Sequence, residues 1–311
     1  MGTPEFARVC LASLEQAGYP ILGVVTQPSR PAGRGQAVLP PPCAAYAKEK
    51  GFLLFQPTQI KNNEEFLKKV EALAPDFIVV VAYGRLLPAR ILAASRIDTI
   101  NLHASLLPKY RGAAPINWAI INGDTTTGVS VMKVTEKMDA GPVYSQKILS
   151  IAQTDTAGDL FKKLADLGAE LLLETLPKIA DGSLKPILQD ETKVTIAPLL
   201  KKEEGKLDWN QPASLLFNRI RGLNPWPGAH TSIDNKVLKI YHASLLNEKP
   251  KNSPGTVYFL NEQGINVACA DSALCLTEVQ LEGKKKMSAS EFVRGYRLKV
   301  GALLAAPFTK K

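Results

Sequence analysis

The sequence predicts an α/β fold, with a Rossmann-like, mostly parallel sheet followed by a small OB-like β-barrel. In the first 182 residues, apolar runs of strand length alternate with helical patterns, as in chains built from βαβ units. The run at 77–83 is continuously apolar, which is typical of a parallel strand that is covered on both faces. Beyond residue 205 the pattern changes to about five short strands separated by turn residues, which indicates a small barrel.

The length and the charge distribution predict two domains of different character. A chain of 311 residues is too long for one ordinary core, and we place the domains at 1–182 and 205–311, with a linker at 183–204. Residues 201–311 carry 17 Lys+Arg against 10 Asp+Glu, which is +7 of the total of +9. Such a basic domain favours a polyanionic partner, with nucleic acid ahead of a membrane, although simple solubility is the alternative.

Cysteine usage and hydropathy indicate a cytoplasmic protein that does not enter a membrane. The four cysteines form no Cys-x-x-Cys pair and have no His at ligand spacing, so neither a zinc site nor a disulfide framework is indicated. No apolar run approaches the ~18 residues that span a bilayer, and no basic segment followed by an apolar one opens the chain.

The elements of the first domain can be placed in order. Strands are predicted at 21–25, 52–55, 77–83, 97–102, 129–134 and 143–151. Helices are predicted at 6–18, 44–50, 113–122 and 156–182, with a further helix capped by Asn63. The loop at 26–42 is rich in Pro and Gly and contains Arg30 and Arg34, so it is either functional or disordered.

Further predictions concern the strands of the barrel and the first residues of the chain. Strands of the barrel are predicted at 230–233, 237–243, 255–260, 265–270 and 273–279. The chain opens on a Gly-Thr-Pro turn with no strand before it. We therefore expect that the chain folds poorly or has a gap beside the strand at 21–25, because a missing inner strand leaves backbone groups unpaired.

The polar residues at the end of the strand at 97–102 are the best candidates for chemistry. Asn101 and His103 are two residues apart, so in an extended strand both side chains leave the same face. An amide beside an imidazole suits a carbonyl oxygen that gains negative charge. Asp139, in a loop between two strands, is the best candidate for an accompanying carboxylate. The alternative is that Asn101 and His103 merely tie off a loop.

Several other chemistries have weak support. Ser105 lacks the Gly-x-Ser-x-Gly elbow of a nucleophile, and no glycine-rich phosphate loop supports a dehydrogenase. Group transfer remains, with a nucleophile supplied by the substrate and an oxyanion held by Asn101 and His103. In such a reaction Asp139 would keep the imidazole protonated and help to move a proton through water. This chemistry requires no metal.

The motif Asn101-x-His103-x-Ser-Leu-Leu-Pro-x-x-x-Gly112, with Asp139-x-Gly141 downstream, resembles the formyltransferases that use 10-formyltetrahydrofolate. The stretches at 2–7, 26–35, 81–84, 111–115 and 224–228 resemble the members that act on tRNA. Two alternatives stay open. One is a folate-dependent formyltransferase acting on an amino sugar, and the other is a nucleic-acid-binding protein with an idle α/β half.

The resemblance implies a role for each group of residues. Asn101, His103 and Asp139 are implied to be catalytic, in a cytoplasmic monomer that uses 10-formyltetrahydrofolate and formylates the α-amine of the methionyl initiator tRNA. The implied folate site consists of Tyr83, Gly84, Arg85, Leu86, Leu87, Ser105, Leu106, Leu107 and Pro108. The implied tRNA contacts, which make 205–311 a tRNA-binding domain, are Arg30, Arg34, Arg219, Arg221, Lys284, Lys285 and Lys286.

Overall fold

The computed structural model describes residues 1–32 and 37–305. The chain divides into two compact units. The first contains Met1–Pro115, Thr126–Ser150 and Phe161–Pro198, and the second contains Ile116–Thr125, Ile151–Leu160 and the chain from Leu199 onward. Residues 183–198, most of the expected linker, are therefore part of the first unit.

The first 198 residues alternate helices and strands. The helices are α1 (Glu5–Gln16), α2 (Pro42–Glu49), α3 (Glu64–Leu73), α4 (Ala89–Leu92), α5 (Pro115–Ile121) and α6 (Ala157–Ala180). The strands are β1 (Val24–Val25), β2 (Arg30–Ala32), β3 (Ala37–Leu39), β4 (Leu54–Phe55), β5 (Phe77–Val81), β6 (Asp98–His103), β7 (Arg111–Gly112), β8 (Thr126–Lys133), β9 (Val143–Ser150) and β10 (Ile196–Ala197).

The main sheet of the first unit has the strand order β5-β6-β8-β9. Strands β5 and β6 are parallel, as are β1 and β4, whereas β8 is antiparallel to both β6 and β9. The loop between β8 and β9 is too short for a parallel crossover, which needs a dozen or more residues, so β9 returns antiparallel. The predicted α/β class is confirmed, with an antiparallel edge on the sheet.

The first residues of the chain lie between β1 and β5. The N–H of Gly2 donates to the Val25 carbonyl at 2.9 Å, and the N–H of Val81 donates to the Met1 carbonyl at 2.9 Å. Gly2 and Val81 form an isolated parallel bridge. The α-amino group of Met1 also donates to the Val79 carbonyl at 2.6 Å, so residues 1–2 are hydrogen-bonded to both β1 and β5.

Helix α6 determines which face of β6 is available for chemistry. Its apolar side is buried through residues such as Leu164 and Leu172, each 0% exposed. Gly168 lets the helix approach the sheet closely, since a Cβ there would lie 2.6 Å from Cδ2 of Leu102. Because side chains alternate along a strand, Asn101 and His103 project from the face opposite Leu102.

The cap of α3 and the loop at 26–42 are two local features of the first unit that the sequence predicted. The Asn63 side chain accepts a hydrogen bond from the N–H of Phe66 at 3.1 Å, which confirms the predicted cap of α3. The loop at 26–42 is not wholly irregular, because β2 and β3 pair as antiparallel strands. Arg34 lies outside the described residues.

The second unit contains the predicted barrel. Its helices are α7 (Ala213–Gly222) and α8 (Ala289–Tyr296), and its strands are β11 (Ala229–Ile233), β12 (Lys236–Leu246), β13 (Val257–Leu260), β14 (Ile265–Ala268), β15 (Ala273–Leu281) and β16 (Met287–Ser288). The antiparallel order is β11-β12-β15-β14-β13. Ser232 in β11 bridges Ala305, and Thr256, next to β13, bridges Leu303, so residues 303–305 join the two edge strands and close the barrel.

No helix in residues 1–32 and 37–305 is long and apolar enough to cross a membrane.

Gly128 in β8 is a sensitive test of the packing that supports the site. A Cβ at this position would lie 2.0 Å from the Lys147 carbonyl oxygen and 2.5 Å from Cδ2 of Leu106. We expect Gly128→Ala to lower the free energy of unfolding by about 1–3 kcal/mol, the usual cost of overpacking. Urea denaturation measures this change.

The matched control is Gly295→Ala in the exposed part of α8, where an added Cβ meets nothing within 4 Å. Alanine favours the helix, so this substitution should leave stability unchanged or raise it by up to ~1 kcal/mol. Equal stability of the two variants would contradict the packing described for β8.

Candidate active site

His103 is held in a fixed orientation at the end of β6. The ring is 6% exposed, and Nε2 lies 2.9 Å from the Tyr110 carbonyl oxygen. A carbonyl oxygen can only accept, so Nε2 carries the hydrogen of this bond. Nδ1 faces the Asp139 carboxylate, with 3.8 Å between Nδ1 and Oδ1. The structure therefore brings together His103 and the carboxylate that the sequence nominated.

Asp139 is positioned by its own turn and by the neighbouring β7. Its backbone is left-handed, with φ of 50°, and its Oδ2 accepts a hydrogen bond from the N–H of Gly112 at 2.9 Å. Oδ1 remains directed at His103. The glycine of the Asp-x-Gly motif has a steric reason, because a Cβ on Gly141 would lie 1.9 Å from the Lys133 carbonyl oxygen.

The loop between β6 and β7 is fixed by serine hydroxyls. Ser105, which is completely buried, donates to the Lys109 carbonyl at 2.6 Å. The Ser130 hydroxyl donates to the Ser105 carbonyl at 2.6 Å and accepts from the N–H of Leu107 at 3.1 Å. Ser105 therefore serves the loop itself, and its hydroxyl is not directed at a reacting group.

Three residues of the expected linker support the site, and the sequence analysis missed all of them. The Thr195 hydroxyl accepts from the N–H of Tyr110 at 2.8 Å. The Gln189 amide contacts both the Arg111 guanidinium and the turn that contains Asp139. Glu191 forms an ion pair with Arg111 at 2.8 Å. The segment at 183–198 has no periodic pattern, so nothing in the sequence marked these polar side chains as part of the site.

The turn after β5 contains a buried hydroxyl without a hydrogen-bond partner among the described residues. Tyr83 is 2% exposed, and its hydroxyl finds no hydrogen-bond partner among residues 1–32 and 37–305. Gly84 has φ of 75°, a conformation that favours glycine. Leu86 is 65% exposed and Leu87 is 7% exposed. A buried hydroxyl without a partner among the described residues suits a heteroaromatic ligand, and the folate site expected at this turn stays a prediction.

A groove of about 380 Å³ opens beside this turn. It is lined by Gln59, Ile60, Lys61, Asn62, Arg85 and Leu86. The guanidinium of Arg85 donates to the Thr58 carbonyl, which orients this side chain along the wall of the groove. The loop between β6 and β7, which the Ser105 and Ser130 hydroxyls fix, contains three more residues expected at the folate: Leu106, Leu107 and Pro108.

The basic residues nominated for tRNA differ in their availability. Arg221 is 8% exposed, and its Nη1 donates to the carbonyls of Ala152 and Asp155, each at 3.1 Å. Burial lowers the pKa of this guanidinium. Its hydrogen bonds are directed inward at these carbonyls, so the buried Arg221 is not placed to contact a tRNA phosphate. Arg219 donates to both the carbonyl and the carboxylate of Glu204.

The lysines of the turn before β16 are exposed. Lys286 is paired with Glu278 at 3.0 Å and lies over the Tyr241 ring, whereas Lys284 and Lys285 have exposed side chains. Arg30 is in β2. Within the described ranges, no group of three or more His, Cys, Asp or Glu side chains could hold a metal ion.

Comparison with known families covers most of the chain. Residues 1–176 match the formyl transferase family, and residues 199–297 match the formyl transferase C-terminal domain. A curated methionyl-tRNA formyltransferase from Caldanaerobacter subterraneus is 45% identical over 304 residues, which is 98% of each chain. The methionyl-tRNA formyltransferase of Bacillus subtilis is 44% identical over 305 residues, covering 98% of this chain and 96% of the relative.

Solved structures at low identity share the fold. An N-formyltransferase from Helicobacter canadensis, in complex with folinic acid and dTDP-3-aminofucose, matches with a TM-score of 0.65 and 18% identity, covering 88% of this chain and 97% of the other. HypX from Aquifex aeolicus, in complex with tetrahydrofolic acid, matches with a TM-score of 0.59 and 20% identity, over 86% of this chain and 46% of HypX. This chain thus spans about half of HypX.

Three observations point to the same family: the motif that contains Asn101 and His103, the two matched domains, and 45% identity to a curated relative along 98% of the chain. The chain therefore belongs to the methionyl-tRNA formyltransferases of the formyl transferase family.

Proposed function

We propose that this chain transfers the formyl group of 10-formyltetrahydrofolate to the α-amine of the methionyl initiator tRNA, a step of translation initiation. The observation that carries the proposal is the arrangement of His103 between the Tyr110 carbonyl and Asp139, in a chain 45% identical to a methionyl-tRNA formyltransferase. The arrangement supplies hydrogen-bond donors for an oxyanion and a carboxylate for proton transfer.

The proposed reaction needs positioned donors and a route for one proton. The α-amine attacks the formyl carbon, a new N–C bond forms, the bond from that carbon to N10 of the folate breaks, and the amine proton ends on N10. Asn101 and His103 stabilise the oxygen that becomes negative. Nε2 of His103 is committed to Tyr110, so Nδ1 is the nitrogen left for the substrate. The Asp139 carboxylate guides the proton through water.

The two substrates are assigned to different regions. The turn at Tyr83–Leu87 and the loop at Ser105–Pro108 would hold the folate, with the Tyr83 hydroxyl as a polar contact. The catalytic domain, predicted at 1–182, would also include residues 183–198 of the first unit, and 205–311 would bind the tRNA. Arg30, Arg34, Arg219 and the cluster at 284–286 remain candidates for tRNA contacts. We further propose that the protein acts as a monomer in the cytoplasm, where initiator tRNA is charged.

An amino sugar is the second candidate acceptor, because the Helicobacter canadensis structure contains dTDP-3-aminofucose. That likeness, at 18% identity, concerns the fold alone. Identity of 45% along 98% of the chain and the +7 charge of residues 201–311 both favour tRNA. A catalytically idle nucleic-acid-binding protein is disfavoured, because the braced contacts of His103 and Asp139 serve no other evident purpose.

The acceptor is tested by following labelled formyl from the folate. We expect transfer to charged methionyl initiator tRNA and none to uncharged tRNA, since the nucleophile is the α-amine. A dTDP-amino sugar supplied at the same concentration should remain unlabelled. Transfer to the sugar but not to the tRNA would reverse the assignment.

The roles of Asn101 and His103 are tested by measuring turnover and tRNA binding together. His103→Ala and Asn101→Ala should each lower kcat by about 10²-fold or more, which is typical when one donor to an oxyanion or a general acid is removed. Binding of tRNA, measured by filter retention, should be unchanged. His242→Ala, an exposed imidazole on β12, is the matched control with normal kcat at saturating tRNA. Full turnover of the His103 variant would remove His103 from the catalytic group, and absence of turnover by the unaltered protein would support an idle α/β half.

The exposed lysines are tested through the salt dependence of tRNA binding. Lys284→Ala and Lys285→Ala should weaken tRNA affinity and reduce the log–log salt slope by about one per lost phosphate contact. The KM for the folate should not change. Lys162→Ala, an exposed lysine on α6, serves as the control. An unchanged salt slope in a variant that carries both substitutions would show that this turn does not contact the tRNA.

A further inference from the structure

Gln189 connects the buried Arg111 to the turn that carries Asp139. Its Nε2 donates to the carbonyl of Asp139 at 2.9 Å and to that of Gly141 at 2.7 Å. Its Oε1 accepts from Nε of Arg111 at 3.0 Å and from Nη2 at 2.9 Å. Gln189 thus lies in sequence some 50 residues from the turn that it binds, within the segment predicted to be a linker.

The orientation of this amide is determined by its partners. A guanidinium can only donate and a carbonyl oxygen can only accept, so a flipped amide would lose all four hydrogen bonds. Both hydrogens of Nε2 and both lone pairs of Oε1 are used. A side chain with this complete set of partners is held in one orientation. Its two bonds to the Asp139 and Gly141 carbonyls therefore restrain the backbone of residues 139–141.

Arg111 anchors the arrangement from the other side. It is 7% exposed and also pairs with Glu191, with 2.8 Å between Nη2 and Oε1. The next residue, Gly112, donates its N–H to Oδ2 of Asp139 at 2.9 Å. The backbone of Asp139 is therefore held through Gln189 and its carboxylate through Gly112, and both supports begin at residues 111–112.

We propose that Gln189 is a positioning residue for formyl transfer, which keeps the Asp139 carboxylate directed at Nδ1 of His103. Asp139 has φ of 50°, an uncommon conformation for a residue other than glycine, so the turn needs external hydrogen bonds to persist. Gln189 supplies two of them. The inference rests on the proposed formyl transfer, and Gln189 acts through Asp139.

The variant Gln189→Glu tests the hydrogen bonds of Nε2 separately from those of Oε1. It keeps the size of the side chain and its bond to the Arg111 guanidinium, but places a carboxylate oxygen against the two carbonyls of the turn. We expect kcat to fall about 10-fold in both Gln189→Glu and Gln189→Ala, the effect of losing two ordinary hydrogen bonds. KM for both substrates should stay within about two-fold. Leu188→Ala, at a side chain 81% exposed, is the control.

A double-mutant cycle distinguishes positioning from general support of the fold. If Gln189 acts through Asp139, then Gln189→Ala should cost less than about two-fold when added to Asp139→Ala, measured in single turnover with excess enzyme. A full 10-fold loss in that background, or normal kcat in Gln189→Glu, would overturn the proposal.

Hydrogen exchange tests the same inference without turnover. The amide of Gly112 should exchange faster in Gln189→Glu than in Leu188→Ala, because its acceptor Asp139 is no longer held. Equal exchange would overturn the positioning role. Absence of transfer by the unaltered protein, with faster exchange in the Gln189 variant, would instead reject the proposed function and leave the structural inference standing.

Discussion

The hydrogen bond from His103 to the Tyr110 carbonyl is the contact on which the geometry of the site depends. It commits Nε2, at 2.9 Å, and so leaves Nδ1 as the nitrogen that meets Asp139 and a substrate. Tyr110 itself has φ of 61°, and its N–H donates to the Thr195 hydroxyl at 2.8 Å. Tyr110, which bonds to Nε2, is thus held by Thr195, and Asp139, which faces Nδ1, is held by Gln189. One irregular segment fixes both sides of the imidazole.

The sheet contributes the other half of this geometry. Parallel pairing of β5 with β6 places the turn after Val81 and the polar end of β6 at the same edge of the sheet, where open α/β folds bind ligands. Helix α6 covers the opposite face, because Gly168 allows it to approach Leu102. The same alternation that buries Leu102 therefore presents Asn101 and His103 for chemistry.

Local patterns predicted β6 to within one residue at each end, at 97–102 against Asp98–His103, and also the strand, loop and strand around Asp139. The spacing of Asn101 and His103 depends only on the two-residue period of a strand, and the barrel strands follow from alternation and turn residues. The contacts of Gln189 and Thr195 could not be predicted in this way, because they join residues 50 and 85 positions apart. A polar segment without periodicity has the same appearance whether it is a free linker or a support for a site.

Charge counting had a related limit in α7. Residues 219 and 221 appeared equally basic, yet the buried stripe of Leu216 and Ile220 extends to Arg221, whose guanidinium satisfies carbonyls instead of facing solvent. The excess charge of the second domain is real, but its external part lies elsewhere, for instance at Lys284 and Lys285. Burial, which a net charge cannot express, decides which cations can meet a phosphate.

The orientation of the His103 ring is the central claim, and nitrogen-15 NMR of the imidazoles measures it directly. The His103 signals are assigned by their loss in His103→Gln, which separates them from those of the other two histidines. We predict that the neutral ring carries its hydrogen on Nε2, where it is donated to the Tyr110 carbonyl oxygen. A neutral ring with its hydrogen on Nδ1 would contradict the bond to Tyr110 and, with it, the arrangement proposed for formyl transfer.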